Sequence, residues 1–225
     1  MSEKQNRVLI ITGGNLHRDF LTEYRKAESF DYIICVDSGL VVADACRIKM
    51  NCIIGDFDSV DAAVIEKYRT QVSLGQIQTI IKTLQPEKDM TDTQVAVETA
   101  VSLSPSEIVI LGGTGSRMDH VLANINLLLK PLSVGIKACL IDEHNKIYLA
   151  NKSFLLQREK AYGDFLSLLP FSERVVGVTL TGVKYTLNHY DFTQGDSIGI
   201  SNEITAAGAT VEFQKGTLVV IEAKD

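Results

Sequence analysis

Residues 52–59 read CIIGDFDS, an apolar run that stops at Gly55 and is followed directly by Asp56 and Asp58. Such a run is typical of a strand buried on both faces, so the two aspartates should lie at the carboxyl end of that strand. Two carboxylates about 5 Å apart repel each other by about 3 kcal/mol at an effective dielectric constant near 20. An acidic pair in this position therefore indicates either a bound cation or a water-exposed turn.

The same pattern recurs on both sides of this stretch, where short apolar runs alternate with helical patterns. Thr91-Asp92-Thr93-Gln94 has the form of a capping box, and Val121 begins a second helical face that Pro131 should end. Apolar strands that alternate with helices predict a Rossmann-like α/β domain, with a mostly parallel sheet flanked by helices. The expected strands are 8–12, 31–36, 52–54, 108–111 and 138–141.

After about residue 150 the pattern changes to short strand-like runs separated by Gly, Asn and Asp turns, without a clear amphipathic helix. This pattern predicts a β-sandwich or barrel. We therefore expect α/β followed by all-β, with an α/β domain over residues 1–148 and a β domain over residues 149–225.

The composition narrows the class of protein. The chain has 225 residues and a formal net charge of −6, which argues against a nucleic-acid or anionic-membrane partner because both favour basic surfaces. Its four cysteines stand singly in apolar surroundings, as expected in a reducing compartment. Neither a signal peptide nor an apolar run of about 20 residues is visible, so we expect a cytoplasmic protein.

Polar residues follow four of the expected strands. In an open α/β sheet, ligands bind beyond the carboxyl ends of the strands, so these residues should converge on one edge. Each signal alone is weak, because glycine after a strand commonly forms a tight turn and a helix dipole favours a carboxylate in the first turn. The segments are Gly13-Gly14-Asn15, Asp37-Ser38-Gly39, Asp56-Phe57-Asp58 and Gly112-Gly113-Thr114-Gly115.

Three aspartates are candidate metal ligands. Asp56, Asp58 and Asp92 supply hard oxygen ligands without a competing thiol or imidazole cluster, which suits Mg²⁺ better than zinc. Arg117 offers a fork of donors that matches phosphate oxygens. Together with the glycine segments, these residues indicate phosphoryl chemistry.

The chain contains four motifs in this order: GDFDS (55–59), KDMTDT (88–93), GGTGSRMDH (112–120) and SNE (201–203). Together they resemble the thiamine pyrophosphokinase family. The resemblance implies a cytosolic, Mg²⁺-dependent transfer of pyrophosphate from ATP to the hydroxyl of thiamine, giving thiamine diphosphate and AMP. It also implies a homodimer, with thiamine bound where the α/β domain of one subunit meets the β domain of the other.

The resemblance also implies roles for individual residues. Asp56, Asp58 and Asp92 correspond to the metal ligands, and Asp92, Arg117 and Asp119 to the catalytic group, in which either aspartate accepts the hydroxyl proton. Thiamine would contact Ser201, Asn202 and Glu203. The candidates for ATP binding are Gly14, Asn15, Asp37, Gly39, Thr91, Thr114, Gly115 and His120.

One feature departs from the family. Its animal members place a tryptophan near the SNE element, whereas this chain has no tryptophan. Tyr185, Tyr190 or Phe192 are candidates for that stacking role, with ordinary packing as the other interpretation of each.

Two other functions fit parts of the sequence. In a haloacid-dehalogenase-type phosphatase, Asp56 would be the nucleophile and Asp58 the general acid. That family usually begins with its D-x-D strand, whereas two expected strands precede GDFDS here. A non-catalytic thiamine or nucleotide sensor on the same fold is the second alternative, because fold alone does not imply activity.

Overall fold

The computed structural model describes residues 6–85, 87 and 89–225, so Lys88 of the KDMTDT motif lies outside the described residues. The chain divides into two compact units between Asp142 and Glu143. The sequence placed this boundary after Tyr148. Among the described residues, no helix has both the length and the apolar character needed to cross a bilayer.

The first unit alternates strands and helices along the chain. Its strands are β1 (Arg7–Ile11), β2 (Tyr32–Val36), β3 (Cys52–Gly55), β4 (Ile80–Thr83), β5 (Glu107–Leu111) and β6 (Lys137–Ile141). Its helices are α1 (Arg18–Ala27), α2 (Gly39–Ala45), α3 (Ala62–Ser73), α4 (Asp92–Ser102), α5 (Met118–Leu127) and α6 (Leu129–Ser133).

The strands of this unit form a parallel sheet in the order β6-β5-β1-β2-β3-β4. Successive strands therefore extend in one direction from β1 to β4, and β5 and β6 add on the other side of β1. Leu9 of β1 aligns with Ile33 of β2 and Val109 of β5. All three are at most 5% exposed, so the centre of the sheet is the core of this unit.

Two sequence expectations for the first unit need correction. β4 was missed because its residues are mostly exposed and do not form an apolar run. Pro131 does not end α5, which stops at Leu127; it lies in the first turn of α6. A proline fits there because the first N–H groups of a helix have no carbonyl partner within the helix.

The second unit is built from antiparallel strands. They are β7 (Asn145–Ala150), β8 (Phe154–Gln157), β9 (Phe165–Pro170), β10 (Arg174–Thr181), β11 (Leu187–Thr193), β12 (Asn202–Glu203), β13 (Gly208–Glu212) and β14 (Leu218–Ala223). A 3₁₀ turn, Arg158–Lys160, connects β8 to β9. β7 belongs to this unit because it pairs along its length with β14, which explains why the boundary falls before Tyr148.

Two sheets form the second unit, one ordered β12-β9-β14-β7 and the other β11-β10-β13-β8. Their buried side chains share one core, to which Leu168 and Val220 contribute from the first sheet and Val178 and Phe192 from the second. This arrangement is a β-sandwich. The predicted fold class, α/β followed by all-β, is confirmed.

Candidate active site

A polar cavity of about 700 Å³ lies at the carboxyl end of the parallel sheet in the first unit. It is lined by the segments that follow β1, β2 and β5 and by the first turn of α4. The sheet order reverses at β1, where β2 lies on one side and β5 on the other. Ligands of doubly wound folds bind at such a reversal, so the cavity is where the topology favours a site.

The two glycine segments on this edge are bonded to each other. The N–H of Gly14 donates to the carbonyl of Gly112 at 2.8 Å, and the N–H of Asn15 donates to the carbonyl of Thr114 at 2.7 Å. A Cβ atom at position 14 would lie 2.3 Å from both carbonyl oxygens, so only glycine allows this approach. The loops after β1 and β5 therefore form one connected backbone surface on the cavity wall.

Side chains that the sequence analysis did not single out support the loop after β5. The buried Asn124 amide donates to the carbonyl of Gly113 at 2.8 Å, and the Thr114 hydroxyl donates to Asp142 at 2.8 Å. Asn124 stands three residues after Val121, within the apolar face of α5. A polar residue inside an apolar helix face was the signal that could have identified it.

Three aspartates meet at the end of the sheet beside β2 and β3. One carboxylate oxygen from each of Asp37, Asp56 and Asp92 lies within 4.8 Å of the other two. They follow β2, follow β3 and begin α4, respectively. Clustered carboxylates repel one another unless a cation is present, and an all-oxygen donor set suits Mg²⁺. These residues fit a magnesium site.

Local backbone geometry brings Asp37 into this group. Asp37 adopts a positive φ of 45°, a conformation that is costly for most residues and recurs at functional sites. At the end of the neighbouring strand, a Cβ on Gly55 would lie 2.2 Å from Asp37 Oδ1. Glycine at position 55 therefore leaves room for the Asp37 carboxylate.

The start of α4 positions Asp92. One half of the predicted capping box is present, because the N–H of Gln94 donates to the Thr91 hydroxyl at 3.1 Å, while the Gln94 side-chain amide donates to Glu98 at 3.0 Å. In addition, the hydroxyl groups of Thr12 and Thr93, both buried, form a hydrogen bond of 3.0 Å. This bond joins the end of β1 to the first turn of α4, and the sequence analysis did not single it out.

Asp58 is not a member of the three-aspartate group. It is exposed, and its backbone N–H donates to Asp56 Oδ1 at 3.2 Å. Between the two aspartates, Phe57 is buried and has a positive φ of 63°, so the chain turns sharply after Asp56. The assignment of Asp58 to the metal stays a prediction, and the structure adds Asp37 as a candidate.

Arg117 and Asp119 form an exposed, two-point ion pair. The guanidinium donates through Nε at 3.2 Å and through Nη2 at 2.6 Å to the two carboxylate oxygens. The hydrogen bond from Arg117 lowers the pKa of the Asp119 carboxyl to about 2. The same pairing raises the pKa of Arg117 above its ordinary value.

Most of the candidate ATP-binding residues lie on the cavity wall, although Gly39 does not. Gly39 is buried, and a Cβ there would lie 2.5 Å from the carbonyl oxygen of Ile11, so close packing explains this glycine. The predicted residues that line the cavity are Gly14, Asn15, Asp37, Thr91, Asp92, Thr114, Gly115, Arg117 and His120.

The SNE residues belong to the second unit. Ser201 is exposed, with φ of 52°, and its N–H donates to the Ser167 hydroxyl at 2.9 Å. Asn202 is 2% exposed, and Glu203 pairs with Lys184 at 2.7 Å. The Asn202 side chain binds the backbone of Tyr185.

Each of the two units matches a model of a known protein family. Residues 24–140 match the family model "Thiamin pyrophosphokinase, catalytic domain", and residues 153–218 match "Thiamin pyrophosphokinase, vitamin B1 binding domain". A relative, thiamine pyrophosphokinase from Bacillus subtilis (strain 168), is 36% identical over 219 residues, which cover 96% of this chain and 98% of the relative.

Solved structures agree with these matches. Thiamine pyrophosphokinase from Bacillus subtilis superposes with a TM-score of 0.83 at 31% identity, covering 98% of this chain and 100% of that one. The protein from Geobacillus thermodenitrificans gives a TM-score of 0.80 at 28% identity, with 97% and 98% coverage. The chain belongs to the thiamin pyrophosphokinase family.

Proposed function

We propose that the protein transfers pyrophosphate from ATP to the hydroxyl group of thiamine, giving thiamine diphosphate and AMP. One observation carries the proposal: in a chain of this family, three aspartates meet beside two bonded glycine loops at one sheet edge. In the reaction, the thiamine hydroxyl oxygen bonds to the β-phosphorus of ATP. The bond from that phosphorus to the α–β bridging oxygen breaks, AMP departs and the hydroxyl proton passes to a base.

ATP is proposed to occupy the cavity of the first unit. A volume of about 700 Å³ lies within the usual range for small-molecule sites. The backbone of residues 13–15 and 112–115 can approach phosphate oxygens closely, since the five glycines in these segments have no side chains. Arg117 lines the same cavity and supplies donors in a fork that matches two phosphate oxygens.

Asp37, Asp56 and Asp92 would hold a magnesium ion, with Asp58 as a further candidate. When bound, such an ion supplies positive charge that neutralises phosphate oxygens. The donor set supports this assignment, because it consists of carboxylates that come within 4.8 Å of one another.

Asp92 and Asp119 are both candidate proton acceptors, and each would face a positive charge that weakens it as a base: the magnesium ion beside Asp92 and Arg117 beside Asp119. The Asp119 carboxylate is paired with Arg117, which lowers its pKa to about 2, and a carboxylate of such low pKa is a weak base. If Arg117 turns to a phosphate group, Asp119 loses this partner and becomes more basic. We therefore assign Asp119 first to holding Arg117 in place, while Asp92 faces the cavity.

Thiamine is proposed to bind the second unit, whose residues 153–218 match the vitamin B1 binding model. The proposal includes the homodimer, with a thiamine site shared between subunits, and a cytoplasmic location.

Exposed apolar side chains on α5 support self-association, since Met118 is 60% and Leu122 56% exposed. Light scattering should give a dimer mass for the native protein and a monomer mass for Leu122→Lys.

Product analysis tests the reaction and separates it from the two alternatives. The protein is incubated with ATP, Mg²⁺ and thiamine, and AMP, thiamine diphosphate and inorganic phosphate are separated by chromatography. We expect equal amounts of AMP and thiamine diphosphate, formed only when thiamine is present. Free phosphate together with a labelled Asp56 would support the phosphatase, and binding without turnover would support the sensor.

A further inference from the structure

The side chain of Asn202 makes three hydrogen bonds to the backbone of the second unit. Its Oδ1 accepts a hydrogen bond of 3.0 Å from the N–H of Tyr185, and its Nδ2 donates one of 2.7 Å to the carbonyl of Tyr185. The same Oδ1 accepts from the N–H of Glu203 at 3.0 Å. One amide thus satisfies both backbone groups of a residue seventeen positions away.

The burial of Asn202 indicates that these hydrogen bonds have a structural role. Asn202 is only 2% exposed, so its amide has little surface to offer a ligand. Removing it would leave the backbone groups of Tyr185 without these partners, at a cost comparable to lost hydrogen bonds. The side chain fits the role of a structural lock better than that of a substrate contact.

The lock is part of a firmly held segment. Val183 and Ile204, both buried, form an antiparallel bridge, and the N–H of Lys184 donates to the carbonyl of Glu203 at 3.0 Å. Residues 183–185 are therefore fixed along residues 202–204 by backbone and side-chain bonds. In contrast with this fixed backbone, the Tyr185 residue itself is 59% exposed.

Residues 153–218 are all described, and Tyr185 and Tyr190 are the two exposed Phe or Tyr residues in that range. Tyr190 is 36% exposed, and its ring packs edge-on against Phe192 at 5.6 Å between centroids. Phe192 is completely buried and belongs to the core. Tyr185 is thus the most accessible aromatic surface of the range that matches the vitamin B1 binding model.

We propose that Tyr185 contacts the aromatic cation of thiamine and that Asn202 is the positioning residue that holds Tyr185 for this contact. This inference rests on the proposed function. Thiamine carries a flat pyrimidine and a positively charged thiazolium ring, and both favour the face of a phenol ring. Lys184 Nζ lies 5.6 Å from the centroid of the Tyr185 ring and is paired with Glu203, so thiamine would contact the opposite face. By holding the backbone of Tyr185, Asn202 would reduce the conformational freedom that this residue loses when it binds thiamine, and so raise the affinity for thiamine.

Kinetics of three tyrosine variants test the contact. Tyr185→Ala should raise the KM for thiamine about tenfold, the loss expected for a desolvated cation–π or stacking contact. The KM for ATP should stay within about twofold of the native value, and Tyr185→Phe should bind thiamine like the native protein because it keeps the ring. Tyr190→Ala is the matched control. An unchanged thiamine KM in Tyr185→Ala would overturn the assignment.

The positioning role has its own test. Asn202→Ala should also raise the KM for thiamine while leaving the KM for ATP unchanged, and the double variant Asn202→Ala/Tyr185→Ala should be no worse than Tyr185→Ala. If each substitution instead raises the KM for thiamine independently, so that the two increases multiply in the double variant, Asn202 does not act through Tyr185.

A further variant keeps Asn202 and therefore covers the case in which Asn202→Ala does not fold. Because the chain has no tryptophan, Tyr185→Trp introduces a single fluorescent reporter at this position. Titration with thiamine should quench or shift its emission with saturation, and titration with AMP alone should not. A flat response to thiamine from a variant that still forms thiamine diphosphate would overturn the inference while leaving the proposed function intact. Absence of thiamine-dependent AMP from the native protein would instead contradict the proposed function.

Discussion

The two units reach their functional residues in different ways. In the first unit, parallel strands deliver Asp37, Asp56 and the two glycine loops to the same edge, because each loop follows the carboxyl end of a strand. In the second unit, antiparallel strands end at both edges, and the position of Tyr185 depends on a side-chain lock from Asn202. The parallel sheet brings its candidate site residues together by topology, whereas the proposed thiamine contact of the sandwich depends on particular side-chain contacts.

The largest effect is expected from substitutions in the three-aspartate group of the first unit. Asp56→Asn and Asp92→Asn should each lower kcat about a thousandfold, corresponding to about 4 kcal/mol of transition-state stabilisation. Without metal, both variants should unfold at a slightly higher temperature than the native protein, because the repulsion between neighbouring carboxylates is relieved. Product formation and thermal unfolding in EDTA measure the two effects. Near-normal turnover in either variant would remove that aspartate from the catalytic machinery.

A second comparison separates Asp37, which the geometry brings into the acidic group, from Asp58, which the family resemblance places on the metal. Both Asp37→Asn and Asp58→Asn should raise the Mg²⁺ concentration needed for half-maximal rate, by about tenfold or more. Asp37→Asn should also raise the unfolding temperature in EDTA, whereas Asp58→Asn should not, since Asp58 is exposed and outside the group. An unchanged Mg²⁺ dependence excludes the corresponding aspartate as a ligand.

A smaller effect is expected from the hydrogen bond that joins β1 to α4. Thr12→Val leaves the buried Thr93 hydroxyl without this partner, which should lower the free energy of unfolding by about 1–3 kcal/mol. The Mg²⁺ requirement should rise about tenfold, because a residue that orients a ligand contributes to metal affinity. Thr70→Val, an exposed substitution on α3, is the matched control. Equal Mg²⁺ dependence in the two variants would show that the bond does not position Asp92.

The smallest effect concerns the exposed pair of Arg117 and Asp119. The folded-state pKa of Asp119, about 2, lies below its ordinary value of 3.8, so the pair contributes stability above pH 4 that is lost as the pH falls towards 2. The difference in unfolding temperature between the native protein and Arg117→Ala should therefore shrink over this range. High salt should also reduce it, because both side chains are exposed. A difference independent of pH would contradict the pairing.

The sequence predicted the first unit well because its signals are local. Apolar runs identified five of its strands, and the capping box at Thr91 correctly marked the start of α4. The exposed strand β4 carries no apolar run and was missed. Asp37 was assigned to ATP rather than to the acidic group, because its approach to Asp56 depends on a positive φ and on the absence of a side chain at Gly55.

The second unit was less predictable for a physical reason. Its strand-like runs predicted a sandwich or barrel, but no local pattern shows that the amide of Asn202 binds Tyr185, seventeen residues earlier in the chain. Long-range side-chain bonds depend on the register of strands that the sequence does not specify directly. Motif resemblance indicated the importance of residues 201–203, and the structure suggests how one of them acts.

The proposed roles of the two units, catalysis in the first and thiamine binding in the second, can be tested most directly by measuring thiamine-dependent AMP formation with Asp92→Asn and Tyr185→Ala in parallel. We expect that Asp92→Asn loses kcat at saturating thiamine, while Tyr185→Ala keeps kcat and loses only apparent affinity for thiamine. A loss of kcat in Tyr185→Ala with an unchanged thiamine KM, or full turnover in Asp92→Asn, would contradict it.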